Sequence, residues 1–246
     1  MCLHTLDPTR SKTMTKIQLE KEKMNNYNYK QLWVALDDAS PVFHAPLGND
    51  KLGDIPAFNL LPVVTCSAAA RKNCMINGCY AVKFGLRFGW MIQKDYCLRN
   101  LAENTKLAMT DILKLELELE NYFASKKPEF FRIHASGDFF SVEYAKMWAR
   151  VAARHPGTKF LAFTKQFDIV RAVEFAAVIN FELVLSGLTG VKIPNDLREK
   201  YRCAWCDDGT ENRIPKDAIK CPGSCEKCTV CWHLRELNKD TVFHKH

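Results

Sequence analysis

The sequence predicts an α/β fold with a parallel sheet, followed by a cysteine-rich C-terminal segment suited to metal. Three observations carry this. Strand-like runs at Phe130–Ser136, Lys159–Thr164 and Phe181–Leu185 alternate with helical stretches, and that alternation needs crossovers and hence parallel strands. A short apolar run, Phe58–Val64, precedes them as a further candidate strand. Six of the 11 cysteines crowd into residues 203–231, and Cys66, Cys74 and Cys79 form an upstream group.

The elements follow in order. Residues 1–29 are polar and lysine-rich, with weak helical periodicity at Ile17, Leu19 and Met24, and read as a mobile basic arm. Residues 30–200 form the α/β core with its three-cysteine loop. Lys30–Pro56 is interrupted by Pro41, Pro46, Gly48 and Gly53, so it reads as loop with a strand at Leu32–Leu36. Phe58–Val64 is continuous enough for a buried strand, with Pro62 marking an end or an edge. Trp90–Lys126 repeats Leu101, Ala108, Ile112, Leu115, Leu119 and Tyr122 at helical spacing. A polar break near Thr105 or Thr110 can split that helix, and Pro128 closes it. Ser141 is placed to cap a helix through Arg154, which His155-Pro156-Gly157 stops. Asp168 is placed to cap another, to Ile179. Residues 201–246 are the metal-binding segment.

Composition bounds the classes of function. A chain of 246 residues, 47% hydrophobic and 26% charged, can bury a core without metal to hold it. No apolar run is long enough to span a bilayer, and residues 1–26 lack a cleavable secretory pattern. A reducing, intracellular location is expected. There, clustered cysteines in odd number point to metal or redox chemistry rather than disulfides. The net charge of +7 admits an anionic partner such as nucleic acid. The positive residues are spread without a dense run, as on a solvated surface.

In parallel folds, ligands bind beyond the carboxyl ends of the strands. Those ends deliver Cys66, Ser136-Gly137-Asp138, Thr164-Lys165 and Ser186-Gly187 to one rim. Strand alternation puts Arg132, His134, Ser136 and Asp138 on one face. Four polar groups there need partners, supplied by a ligand or by an internal network, and Asp138 with Lys165 equally suits a plain ion pair. Asp138, His134 and Lys165 are the candidate catalytic residues. Ser136, Gly137, Asp138 and Ser186 are the candidate cofactor contacts.

Cys66, Cys74 and Cys79, spaced C-x7-C-x4-C, can wrap an iron–sulfur cluster and leave one iron open, with Cys97 a candidate fourth ligand. Buried core cysteines are the plain alternative. Downstream, Cys203-x2-Cys206 with Cys225-x2-Cys228 has zinc-ribbon spacing, whereas Cys221, Cys225, Cys228 and Cys231 have ferredoxin-type spacing. Spacing alone does not choose between zinc and iron–sulfur. His233 reads as a surface histidine, and Trp205 and Trp232 are placed to shield a metal from solvent.

The segments Cys79-Tyr80-Ala81, His134-Ala135-Ser136-Gly137-Asp138-Phe139, Phe163-Thr164-Lys165 and Cys221-Pro222 with Cys225-x2-Cys228-x2-Cys231-Trp232 resemble the phage gene product 88 family. That resemblance implies a phage or prophage setting and a bacterial host cytoplasm. A remoter resemblance is to radical S-adenosylmethionine enzymes, on the strand, the three-cysteine loop, the helix and a strand ending in Gly137-Asp138. It implies a partial (β/α) barrel. It also implies a [4Fe-4S] cluster at Cys66, Cys74 and Cys79 with one iron for S-adenosylmethionine, and Ser136-Gly137-Asp138 against the cofactor's amino group. Cys221, Cys225, Cys228 and Cys231 would hold a second, closed cluster. The spacing departs from that superfamily's C-x3-C-x2-C. The expected activity is reductive cleavage of S-adenosylmethionine on a substrate the sequence does not name. The other class is a zinc-binding, non-enzymatic module that contacts nucleic acid or a host protein.

Overall fold

A computed structural model describes residues 30–46, 48–49, 51–68, 70–71, 79, 81–82, 95–188 and 190–244. Its strands are β1 (Ala57–Phe58), β2 (Phe130–Ile133), β3 (Lys159–Thr164), β4 (Phe181–Gly187), β5 (Arg202–Asp207), β6 (Ile219–Lys220) and β7 (Thr241–His244). All pair in parallel in one sheet, in the order β1-β2-β3-β4-β5-β7-β6. The helices are α1 (Lys30–Asp38), α2 (Asp95–Thr110), α3 (Ile112–Lys126), α4 (Val142–Arg154), α5 (Phe167–Ala172), α6 (Asn195–Arg198) and α7 (Leu234–Leu237). None of them is long and apolar enough to cross a membrane.

The strand order explains what covers each face. From β1 to β5 the chain steps one strand at a time in one direction. Right-handed crossovers then put every connection on the same side. Phe131 and Ile133 of β2, Phe160 and Ala162 of β3, and Leu183 and Leu185 of β4 point to that side. They pack with Leu119 and Phe123 of α3 and with Tyr144 and Trp148 of α4 in one buried cluster. The step from β6 to β7 runs backwards, because β7 lies between β5 and β6. A right-handed crossover in that direction must cross the other face. Residues 221–240 are that crossover, and Trp232 and Leu234 pack there on Ala57, Leu161, Val184 and Ala204. The cysteine-rich segment is thus the cover of the sheet's second face.

Several expectations are corrected. Leu32–Leu36 is helical: Leu32 and Leu36 are buried four residues apart while Trp33 and Val34 are exposed, which is helical rather than alternating periodicity. The strand expected at Phe58–Val64 stops at Phe58. Pro62 and a left-handed Val63, at φ 69°, turn the chain into a buried loop. The long helix splits at Asp111, whose side chain accepts from the Lys114 N–H at 3.0 Å and caps α3. Ser141 caps α4 through the Tyr144 N–H at 3.1 Å, as the sequence predicts. The helix expected from Asp168 to Ile179 is α5 plus a 3-10 turn at Phe175–Ala177, broken where Val173 is extended. The boundary expected at residue 200 falls inside the sheet, because β5, β6 and β7 extend it. The arm at residues 1–29 lies outside the described residues.

Candidate metal centre and strand-end rim

The rim at the carboxyl ends of β1, β2 and β3 is tied together by backbone and short side chains. Asn59, just past β1, accepts at Oδ1 from the N–H groups of Ala135 (2.8 Å) and Ser136 (3.1 Å). The Ser136 hydroxyl donates to the Leu60 carbonyl at 2.9 Å. Gly137 has φ 86°, and a Cβ there would meet Leu60 Cβ and Thr65 Oγ1, each at 2.8 Å. Only glycine fits both the angle and the space.

Asp138 is buried and closes this network. Its carboxylate accepts from the Thr164 hydroxyl (2.7 Å), the Phe139 N–H (2.8 Å) and the Lys165 N–H (3.1 Å). Its own N–H donates to Thr65 Oγ1 at 3.2 Å. Burial pushes its pKa above the usual carboxylate range, opposed by the Lys165 charge and by these donors. Asp138 therefore joins the exits of β1, β2 and β3, as expected of the rim. Cys66 follows Thr65 directly, so the first cysteine of the upstream group borders Asp138 through its neighbour. Cys79 packs beside the cluster of Leu32, Leu61 and Val82. Cys74 lies outside the described residues, and Cys97 falls within α2. Ser186 is buried on β4, in register with Ala204 of β5.

His134 does not share a face with Arg132. Strand alternation ends at Ile133, and His134 takes a left-handed φ of 59°. That angle turns the ring into the helix layer, where it stacks on Tyr144 and its Nε2 meets the Tyr144 hydroxyl at 2.7 Å. Burial and the nearby Arg132 charge lower its pKa to about 3, so it is neutral.

The cysteines of residues 221–231 gather on the second face. Cys225 and Cys231 pack on the cluster of Leu161, Val184 and Trp232. Burial raises the Cys225 thiol; Lys51 and Arg132 act to lower it, and the thiols of Cys221 and Cys228 to raise it. Cys231 is pushed up to about 12 by burial, again against Arg132, with Cys221 and Cys225 adding to the rise. The four thiols thus share one electrostatic neighbourhood. Among the described residues, no three or more His, Cys, Asp or Glu side chains already stand as a metal site. The gathering is firmly anchored. The Cys225 N–H donates to the Lys51 carbonyl at 2.7 Å, the Cys221 N–H to the Val242 carbonyl at 2.9 Å, and Trp232 Nε1 to the Phe131 carbonyl at 3.2 Å. A Cβ on Gly53 would strike Glu226 at 2.5 Å, so the loop before β1 and the cysteine segment interlock.

The ribbon set fares differently. Cys203 and Cys206 are three apart on β5, so they face opposite sides of the sheet. Cys203 is buried in the helix-side core, away from the face that holds Cys225. The zinc-ribbon quartet Cys203, Cys206, Cys225 and Cys228 is therefore not assembled. His233 lies beside Lys159, 3.2 Å from its ammonium, and Glu236, away from the thiols.

Four residues escaped the sequence reading as site residues. Asn59 and Thr65 were polar interruptions of an apolar stretch, which was the available signal. Arg132 was signalled only as one of the polar residues of its strand, and Lys51 had no signal, because what each faces depends on the backward crossover. A cleft of about 690 Å3, lined by Pro46, Asn49, Asp54, Pro56, Tyr122 and Pro128, opens at the opposite end, where β1 and β2 begin.

The profile of a protein family described as Gene product 88 matches residues 42–234. The Gene 88 protein of Mycobacterium phage D29 is 32% identical over 109 residues, covering 44% of this chain and 40% of that protein. The Gene 88 protein of Mycobacterium phage L5 is 39% identical over 62 residues, covering 23% of this chain and 26% of that protein. The matched stretches thus cover less than half the length of either relative. No solved structure matches.

Proposed function

The chain belongs to the Gene product 88 family, and from that premise we propose that it is an iron–sulfur protein whose C-terminal thiols hold a closed cluster. The observation that carries this reading is the packing of Cys225 and Cys231 on one buried cluster, with the Cys225 N–H held by the Lys51 carbonyl and Arg132 lying over Phe163 of the same cluster. In chemical kind, four thiols are the donor set that such a group takes, and they would have to draw together on binding it. Four thiolates around a cluster or ion of charge +2 leave a dianion, and a buried anion is costly unless cations stand by it. The apolar wall of Leu161, Val184 and Trp232 would keep water from the sulfurs. A bound cluster would supply one-electron transfer.

The upstream loop carries the finer part of the proposal. Cys66, Cys74 and Cys79 would hold an open cluster at the rim, and the reaction class is reductive cleavage of S-adenosylmethionine. The single-direction strand order from β1 to β5 suits a partial barrel. Its support at the site is the contact between Thr65, which precedes Cys66, and Asp138. There the Asp138 network would fix the loop that faces the cofactor. Lys165 would contribute positive charge at the same edge.

The test is anaerobic purification, iron and sulfide counts per chain, and electron paramagnetic resonance after reduction. Added S-adenosylmethionine should then perturb the reduced signal. Iron with sulfide, and a signal lost on replacing Cys225 and Cys231, supports the closed cluster. Stoichiometric zinc without iron ends the reading. Iron with no response to S-adenosylmethionine ends only its enzymatic part.

A further inference from the structure

We infer that Arg132 and Lys51 are the counter-cations of the four-thiolate centre, held in place by aromatic rings. This rests on the closed-centre reading above and adds the residues that set its charge. Arg132 lies on β2 two residues from Phe130, so both point to the cysteine-bearing face. Its guanidinium sits 3.9 Å over the Phe163 ring and donates to the His134 carbonyl at 3.3–3.4 Å. Phe163, Cys225 and Cys231 all pack against the same buried cluster. Lys51 comes from the loop before β1. Its ammonium stands 4.6 Å from the Phe243 ring centre, and its carbonyl holds the Cys225 N–H. Two cations from unrelated segments therefore stand over rings of the cluster that Cys225 and Cys231 pack against, each oriented by its ring.

The chemistry asks for this. Binding one divalent ion by four thiols releases four protons and leaves a net charge of −2. On a half-buried face that charge needs two positive partners, and two are supplied. Arg132 and Lys51 are positioning residues. They ligate nothing and act through the thiolates.

The experiment titrates the full chain, freed of metal by chelation under anaerobic reducing conditions, with Co2+ alone, followed by thiolate-to-cobalt absorption. Arg132→Met and Lys51→Met should each weaken cobalt binding about tenfold or more, the scale of one lost charge at a few ångströms. They should also raise the pH of half-loading. Arg132→Lys keeps the charge but loses the planar stack, and should bind within about threefold of wild type. Lys146→Met, on α4, is the control and should change nothing. In iron-loaded protein the Met variants should have a lower midpoint potential, because a lost cation disfavours the added electron. Wild-type affinity in both Met variants overturns the inference while the cluster reading stands. So does an Arg132→Lys protein as weak as Arg132→Met, which would make Arg132 a structural brace. A wild-type chain without a four-thiolate cobalt spectrum overturns the inference, and the iron and sulfide counts alone then decide the closed centre. A wild-type cobalt centre in a protein that purifies without iron sinks the iron reading alone, and the variants still decide the inference.

Discussion

The two faces of the sheet are built on different principles. The helix side is a continuous aromatic and aliphatic core in which Phe123 meets Phe131 and Phe160 edge-on and Phe160 stacks on Phe181. The other side has one turn-rich segment, held by Trp232 and Leu234 and carrying four cysteines beside two cations. The first face supplies stability through area buried. The second has its own apolar cluster, but Cys225 and Cys231 pack against it. The difference teaches that the cysteine-rich segment is not an appendage: it is the cover of the sheet's second face, and the centre proposed for it would lie within that cover.

Four measurements would break or sharpen that contrast. The largest effect is expected from Cys225→Ser combined with Cys231→Ser. Iron per chain should fall about tenfold or more, with faster hydrogen exchange across residues 221–237 and unchanged protection in α4. Equal loosening of both faces would erase the distinction. Phe160→Ala is the converse. It should cost about 3–5 kcal/mol in denaturant unfolding while iron per folded chain is retained. Third, Asp138→Ala leaves the Thr164 hydroxyl and the Phe139 and Lys165 N–H groups without their acceptor. Unfolding stability should drop by about 2–3 kcal/mol, and a neutral result would show that the rim network is incidental.

The subtlest effect near neutral pH is one of protonation. His134 is buried and neutral, with a pKa near about 3 against an ordinary 6.5. The unfolded chain binds a proton there that the folded chain refuses. Stability should therefore fall as the pH drops from 6.5 towards 3, by up to roughly 1.4 kcal/mol per pH unit from this group. His134→Gln should flatten that limb. An unchanged slope would mean that the ring is not held neutral by its burial.

The sequence made the helix-side half of the molecule legible. β3, β4 and the Ser141 cap of α4 follow directly from apolar runs and a turn residue. What it hid depends on contacts far apart in the chain. Cys203 and Cys206 look like a chelating pair until β5 forms and splits them across the sheet. β6 and β7 are too short to announce themselves. His134 alternates with Arg132 on paper, yet one left-handed residue ends the alternation. Asp138 was found because it sits at a strand exit. Arg132 was grouped with His134, Ser136 and Asp138 on one polar face, and nothing local shows that it faces the cysteine-bearing side instead.

The placement of β7 has a consequence for how the chain is made. Its four residues, Thr241–His244, insert between β5 and β6 and pair with both. During synthesis the sheet can assemble as far as β5 and must then wait, with one edge unpaired, until residue 244 has left the ribosome. A chain lacking Thr241–His244 would leave β6 without the strand it pairs with and the cysteine loop with no closing strand, so these four residues govern whether the second face exists at all.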